Sequence, residues 1–366
     1  MLSSIASSSL IGLACLSVVS AVPFTFGNNP VGNGFPTITN PSDQLTAIEV
    51  AAHGSLPNGP PPPTRPSNNS LTSLQFIAFN ELFEVAFFTE LIANITNHVD
   101  GYRIHNDDDR NFLLNDLLAV QAQEELHLLN ANGALKHFNV TPIEPCQYNF
   151  PVANLDDAIG LASTFTDVVL GTLQDVTTLF GTDGDAGLIR GVASVIGQEG
   201  EQNGFYRLFS GKTPSALPFL TTSTREFAFS ALQGFTVPGS CPNSNTIDLP
   251  QTFQPLTVVT KVEPCVQDVT YTFTLPSGAS SNTYGSNYAS LSLTYINQQN
   301  VPLNVPFKTV NAQGNDVTFT ATFPFNGTTF GNGLTIAAVT NSTGPFGSAG
   351  AVANATIAGP GLIEIN

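Results

Sequence analysis

Between Leu71 and about Gly234 apolar residues recur every three or four positions, the period of an amphipathic helix, and the runs break at HVDGYRIHNDDD, NVTPIEPCQYNFP, GTDGD and SGKTPSALP. The breaks leave four long helices, about 72–97, 108–136, 154–180 and 185–210, and a shorter fifth at roughly 223–234. After residue 250 the helical period stops. Runs such as TFQPLTVVTKV, VTYTFTL, ASLSLTYI, DVTFTATF and LTIAAVT, separated by Gly, Asn, Ser and Pro, read as seven or eight strands of a β-sandwich. Residues 22–70, ending in PNGPPPPTRPSNNS, have the composition of an extended linker, with one short helix expected near Ser42 to Ala52. The expected fold class is therefore α+β and multidomain: a helical bundle over 71–245, then a sandwich over 250–366.

Composition narrows the range of partners. Ten Lys plus Arg against 27 Asp plus Glu give a net charge of −17, which repels phosphate backbones and anionic lipid and so excludes nucleic acid as a partner. Residues 1–21 join an apolar stretch, Leu10 to Val19, to small residues at Val19 and Ala21, as a secretory signal does. No later run of 18 or more apolar residues exists, and GPGLIEIN offers no hydrophobic tail, so no membrane partner is expected. A secreted protein of the extracellular space or cell wall follows, with cell-wall components as candidate partners. Sequons stand at Asn68, Asn94, Asn139, Asn326, Asn341 and Asn354, and about half are expected to carry N-glycan. Loss of Cys15 with the signal leaves Cys146, Cys241 and Cys265, enough for one intramolecular disulfide. Cys146 and Cys241 both lie in Pro-containing turns just after helical segments and are the expected pair.

Helical wheels show which polar residues fall inside the apolar stripes. On the first long helix Glu81 lies among Leu74, Ile77, Val85, Phe88 and Ile92, with Glu84 at the edge of that face. On the second, Glu124 and His127 share the stripe of Leu113, Leu117, Val120, Leu128, Ala131 and Leu135, one turn apart, whereas Glu125 points away beside Asn132 and Lys136. On the fourth, Glu199 and Gln202 repeat that offset among Leu188, Val192, Val195 and Tyr206, and Glu201 points out. The third helix places Thr166 and Thr177 on its stripe but no acid, since Asp157, Asp167 and Asp175 fall off it. Burying three ionised carboxylates without a counter-charge costs several kcal/mol each. No Lys or Arg sits centrally on these faces, so a metal ion is the natural neutraliser.

The segments FIAFNELFEVAFF, AVQAQEELHLLNANGAL, STFTDVVLGTLQD, VASVIGQEGEQNGFYRLF and VPGSCP resemble the secreted ferritin-like domain proteins of fungi, a group that includes late sexual development and stress-response proteins, and more distantly plant desiccation-related proteins. The resemblance covers about residues 71–245 and implies an up-down four-helix bundle with a long crossover. It also implies a metal site at Glu81, Glu124, His127 and Glu199, with Glu84, Thr166 and Gln202 around it. Departures from the family's pattern limit that site. Thr166 stands where a third-helix Glu belongs, Gln202 where a fourth-helix His belongs, and Phe88 where many such bundles carry a Tyr that assists redox chemistry. Three carboxylates and one imidazole suit a single Fe, Mn or Zn ion; the incomplete set argues against oxygen activation by coupled irons and against an enzyme.

Other candidate groups have plainer roles. Asp107, Asp108 and Asp109 lack the closing Glu of a calcium loop and are expected to favour the start of the second helix. His53, His98, His105 and His137 fall in loops or near helix ends, where surface roles are expected. Neither a phosphate loop nor a Gly-x-Ser-x-Gly elbow occurs. Two functions stay open: a metal-binding or redox-protective bundle with a degenerate site, and a non-catalytic structural or interaction glycoprotein of the wall or matrix. A weaker third is glycan binding by the sandwich, which lacks Trp as a stacking platform.

Overall fold

A computed structural model describes residues 22–28, 34–279 and 281–365. The signal expected over 1–21, with Cys15, lies outside the described residues. Helix α1 (Asp43–Ala51) comes first, followed by four long helices, α2 (Asn68–Thr96), α3 (Asp107–His137), α4 (Leu155–Thr182) and α5 (Ile189–Phe209), then α6 (Arg225–Gln233). Most of these helices start at a capping side chain. Ser67, Asn106, Asn154 and Thr224 precede α2, α3, α4 and α6, and the side-chain oxygen of each accepts a backbone N–H of the first turn. Asp107, Asp108 and Asp109 fill the first turn of α3, where the positive end of the helix dipole favours them, while Asn106 does the capping.

Short connections pair α2 with α3 and α4 with α5, and residues 138–154 cross from one pair to the other. That crossover is fastened at two points: a disulfide joins Cys146 to Cys241, and Tyr148 bridges both Phe24 and Thr236 in β fashion. Nearly every residue of α2 from Ser70 to Leu91 is buried, because it packs against α3, α4 and α6 at once. At its centre Phe83 and Phe87 meet Phe150 and Phe165 edge to face. The segment before α2 also packs. Phe26 and Phe35 are buried with the bundle core, and Leu45, Ile48 and Ala52 bury against Ala122 and Leu126 on the outer side of α3.

The C-terminal region contains β1 (Leu256–Val258), β2 (Gln267–Thr274), β3 (Ser292–Asn297), β4 (Leu303–Pro306), β5 (Val310–Gln313), β6 (Asp316–Phe323), β7 (Gly333–Thr340), helix α7 (Ala349–Ala355) and β8 (Thr356–Ile365). Two antiparallel four-stranded sheets result, ordered β1-β2-β6-β5 and β4-β3-β7-β8. Their facing sides share a core of Tyr271, Phe273 and Phe319 against Leu293, Tyr295 and Val339, with the Tyr271 and Tyr295 hydroxyls 2.8 Å apart. The opposite face of the second sheet, through Ile296, Leu334, Ile336 and Ala338, joins the core of the helices. The molecule is thus layered as helices, sheet and sheet. No helix among the described residues is long and apolar enough to cross a membrane.

Candidate metal centre

Three helices bring one cluster together. From α2 come Glu81 and Glu84, from α3 Glu124 and His127, from α5 Glu199 and Gln202. The spacings of three residues set each pair on one side of its helix, one turn apart. Ligand atoms of Glu81, Glu124, His127 and Glu199 all lie within 4.8 Å of one another, and among the described residues no other group of His, Cys, Asp and Glu gathers this way. His127 Nδ1 is 2.8 Å from Glu124 Oε2, 3.6 Å from Glu81 Oε2 and 3.9 Å from Glu199 Oε1. Gln202 donates from Nε2 to Glu124 Oε1 at 2.7 Å. The three acids are sealed from solvent, and the His127 side chain keeps 15% of its surface exposed.

Burial dominates the protonation of the cluster. It pushes the Glu81 carboxyl up to about 7, against the opposing pull of His127. Glu199 and Glu84 rise well above the usual carboxylate range, through burial first and then through the neighbouring carboxylates. Burial also disfavours the charge on Glu124, but His127 and the Gln202 amide outweigh it and hold this carboxyl low. For His127, burial works against the imidazolium, yet Glu124 and Glu81 together raise it well above its ordinary value. Burial thus works against charge on Glu81, Glu84 and Glu199, while the contact between Glu124 and His127 favours charge on that pair.

Glu81 Oε2 and both Glu199 carboxylate oxygens are buried and accept no hydrogen bond. Such orphaned acceptors are rare in folded proteins, and a cation among them would satisfy all three. The residues present thus fit a metal ion, and three carboxylates with one imidazole suit Fe, Mn or Zn better than Ca or Mg, which favour all-oxygen shells. Thr166 on α4 is buried, and no carboxylate of α4 enters the group. Glu84 is buried one turn beyond Glu81, with its Oε1 accepting from Asn80 Nδ2 at 3.0 Å.

Two expectations need correction. Glu125 does not point to solvent: it is fully buried and its Oε1 accepts from Gln121 at 2.8 Å. The reason is that α1 and α2 cover different sides of α3, so a wheel with one buried stripe is too narrow. Asp167 is likewise buried, because the sheet layer covers a second side of α4; there it accepts from Asn203 Nδ2 at 2.9 Å and faces Glu364 of β8. Expectation and structure agree that His53, His98, His105 and His137 are exposed.

Three residues near the cluster carried no clear signal. Tyr206 reads as one more apolar stripe residue, yet its buried hydroxyl has no hydrogen-bond partner, its ring stacks on Phe88 at 5.9 Å, and burial together with the acids of the cluster raises its phenol well above its usual range. Gln123 and Gln198 are uncharged and fall at the edges of their stripes. Gln123 Oε1 accepts from Gln198 Nε2 at 2.8 Å and from Gln202 Nε2 at 3.1 Å.

Residues 69–212 match the family described as the ferritin-like domain, which covers α2 to α5 and all four clustered residues. These helices form a ferritin-like domain, and the two sheets follow it. No curated protein matches the chain.

Proposed function

We propose that the ferritin-like domain holds one transition-metal ion, Fe, Mn or Zn, at Glu81, Glu124, His127 and Glu199, in a secreted glycoprotein of fungal developmental or stress physiology. The observation that carries the metal reading is the set of orphaned oxygens on Glu81 and Glu199 beside the His127 imidazole. Secretion is supported by the apolar stretch at Leu10 to Val19 and by the sequons. Asn68, Asn139, Asn326, Asn341 and Asn354 are exposed, whereas Asn94 is half-buried beside Tyr102, so the glycans belong on the former set. The resemblance to fungal developmental and stress-response proteins supplies the physiological setting.

A second reading keeps the fold without the chemistry: a structural or interaction protein of the wall or matrix. Thr166 and Gln202, which stand where ligands of a two-metal site would be, favour it. Metal analysis of the purified protein beside a Glu124→Ala/His127→Ala variant separates the two. The metal reading expects about one equivalent in the parent and none in a variant that keeps its helical circular dichroism. Absence of stoichiometric metal from both samples would leave the second reading.

A further inference from the structure

The ligands of the metal reading are closed off almost everywhere, and where the closure is polar shows how a cation enters. Glu124 and Glu199 have no exposed surface and Glu81 has 1%. Two turns beyond Glu81 and Glu199, the Phe88 and Tyr206 rings stack and cover that side with apolar surface. His127 is the member of the cluster that reaches the surface, at 15% exposure. Gln123, one turn before His127 on α3, and Gln198, next to Glu199 on α5, are half-buried.

These amides form a chain from surface to cluster. Gln198 Nε2 and Gln202 Nε2 both donate to Gln123 Oε1, at 2.8 and 3.1 Å, and Gln202 Nε2 also reaches Glu124 Oε1 at 2.7 Å. On its outer side Gln123 Nε2 donates to the carbonyl of Ala52, just past the end of α1, at 3.4 Å, which turns the amide oxygen toward α5. Gln198 Oε1 is buried and has no partner.

Resting on the metal reading above, we propose that Gln123 and Gln198 form a gate between α3 and α5, an amide bridge that opens to pass a divalent metal ion to the buried carboxylates. The bridge consists of neutral hydrogen bonds, which are individually weak and readily exchanged. It therefore sets the rate of entry and exit rather than the affinity. Neither residue belongs to the ligand set.

The test is stopped-flow absorbance of Co²⁺ binding by the full chain, with Zn²⁺ displacement for the exit rate, on the parent, Gln123→Ala and Gln198→Ala. Removing either amide is expected to raise the entry and exit rates together, by roughly two- to tenfold, with the dissociation constant unchanged. Rates equal to the parent's in both variants would overturn the gate and leave the metal reading intact. A weaker dissociation constant caused by faster exit alone would also overturn it, by making the amides ligands. Failure of the parent to bind Co²⁺ would overturn both.

Discussion

Glu90 shows what one acid under partial cover does to the whole. Its carboxyl lines a small recess with Phe87, Asn94 and Tyr102, and burial pushes it up to about 7 from an ordinary 4.5. Folding therefore favours its protonated form, and the stability this contributes is full below about 4.5 and lost as pH rises through 7. Glu90→Gln is expected to leave stability unchanged at acid pH and to raise it by about 1–2 kcal/mol in mild alkali, discounting for the solvent that reaches the group. Urea denaturation at both pH values reads this directly; an equal effect at each would mean that ionisation is not the cause. The same physics explains which site residues were legible in the sequence. Glu81, Glu124, His127 and Glu199 stood out because a charge on a helix's driest face is costly enough to be noticed. Gln123 and Gln198 carry no charge, and Tyr206 passes for a hydrophobe, so their parts in the site emerged only from the geometry.

Elements succeeded or failed as units for a similar reason. The long helices show a helical period over several turns, and the starts of α2, α3 and α4 follow from Ser and Asn caps that are visible in the chain. Strands β3 and β7 are buried at every position, since one side meets the other sheet and the other side the helices, so alternation could not mark them and only their β-branched composition did. Helix α7, AGAVANA, is too short and uniform to announce itself, and α1 proved to be a docked helix within a Pro-rich stretch. One contact between elements has a sharp requirement. A Cβ on Gly171 of α4 would lie 2.2 Å from the Thr221 carbonyl oxygen, where the chain leading to α6 crosses the helix. Gly171→Ala is therefore expected to destabilise the fold by about 1–3 kcal/mol despite its better helix propensity, seen as a lower thermal midpoint. A raised midpoint would show that the crossing chain moves aside freely.

On the scale of the whole molecule, a second pair of acids ties the helices to the sheets. Asp167 of α4 and Glu364 of β8 face each other where helix meets sheet, and Asp167 Oδ2 and both Glu364 oxygens accept no hydrogen bond, so a proton on either acid would be favoured there. Asn203 donates to Asp167, Ser163 donates to Asn203, and Arg207 and Lys212 supply the nearby positive charge. Burial raises both carboxyls above their ordinary values, Glu364 well above, with Asp167 adding to its rise. The clasp thus stabilises the folded chain below the ordinary carboxyl range and weakens as pH climbs through the raised value of Glu364. Glu364→Gln keeps a donor for Asp167 without the titration, so its thermal midpoint is expected to exceed the parent's by several degrees in mild alkali and to match it in acid. A constant offset across pH would show that titration of this acid pair is not the cause. Binding of metal belongs to the same scale, because a filled site would join α2, α3 and α5 around one ion. The most direct measurement is an anomalous difference map from crystals of the protein grown with Mn²⁺. The account predicts one peak per chain, within bonding distance of Glu81, Glu124, His127 and Glu199; a map with no peak among those four residues would contradict it.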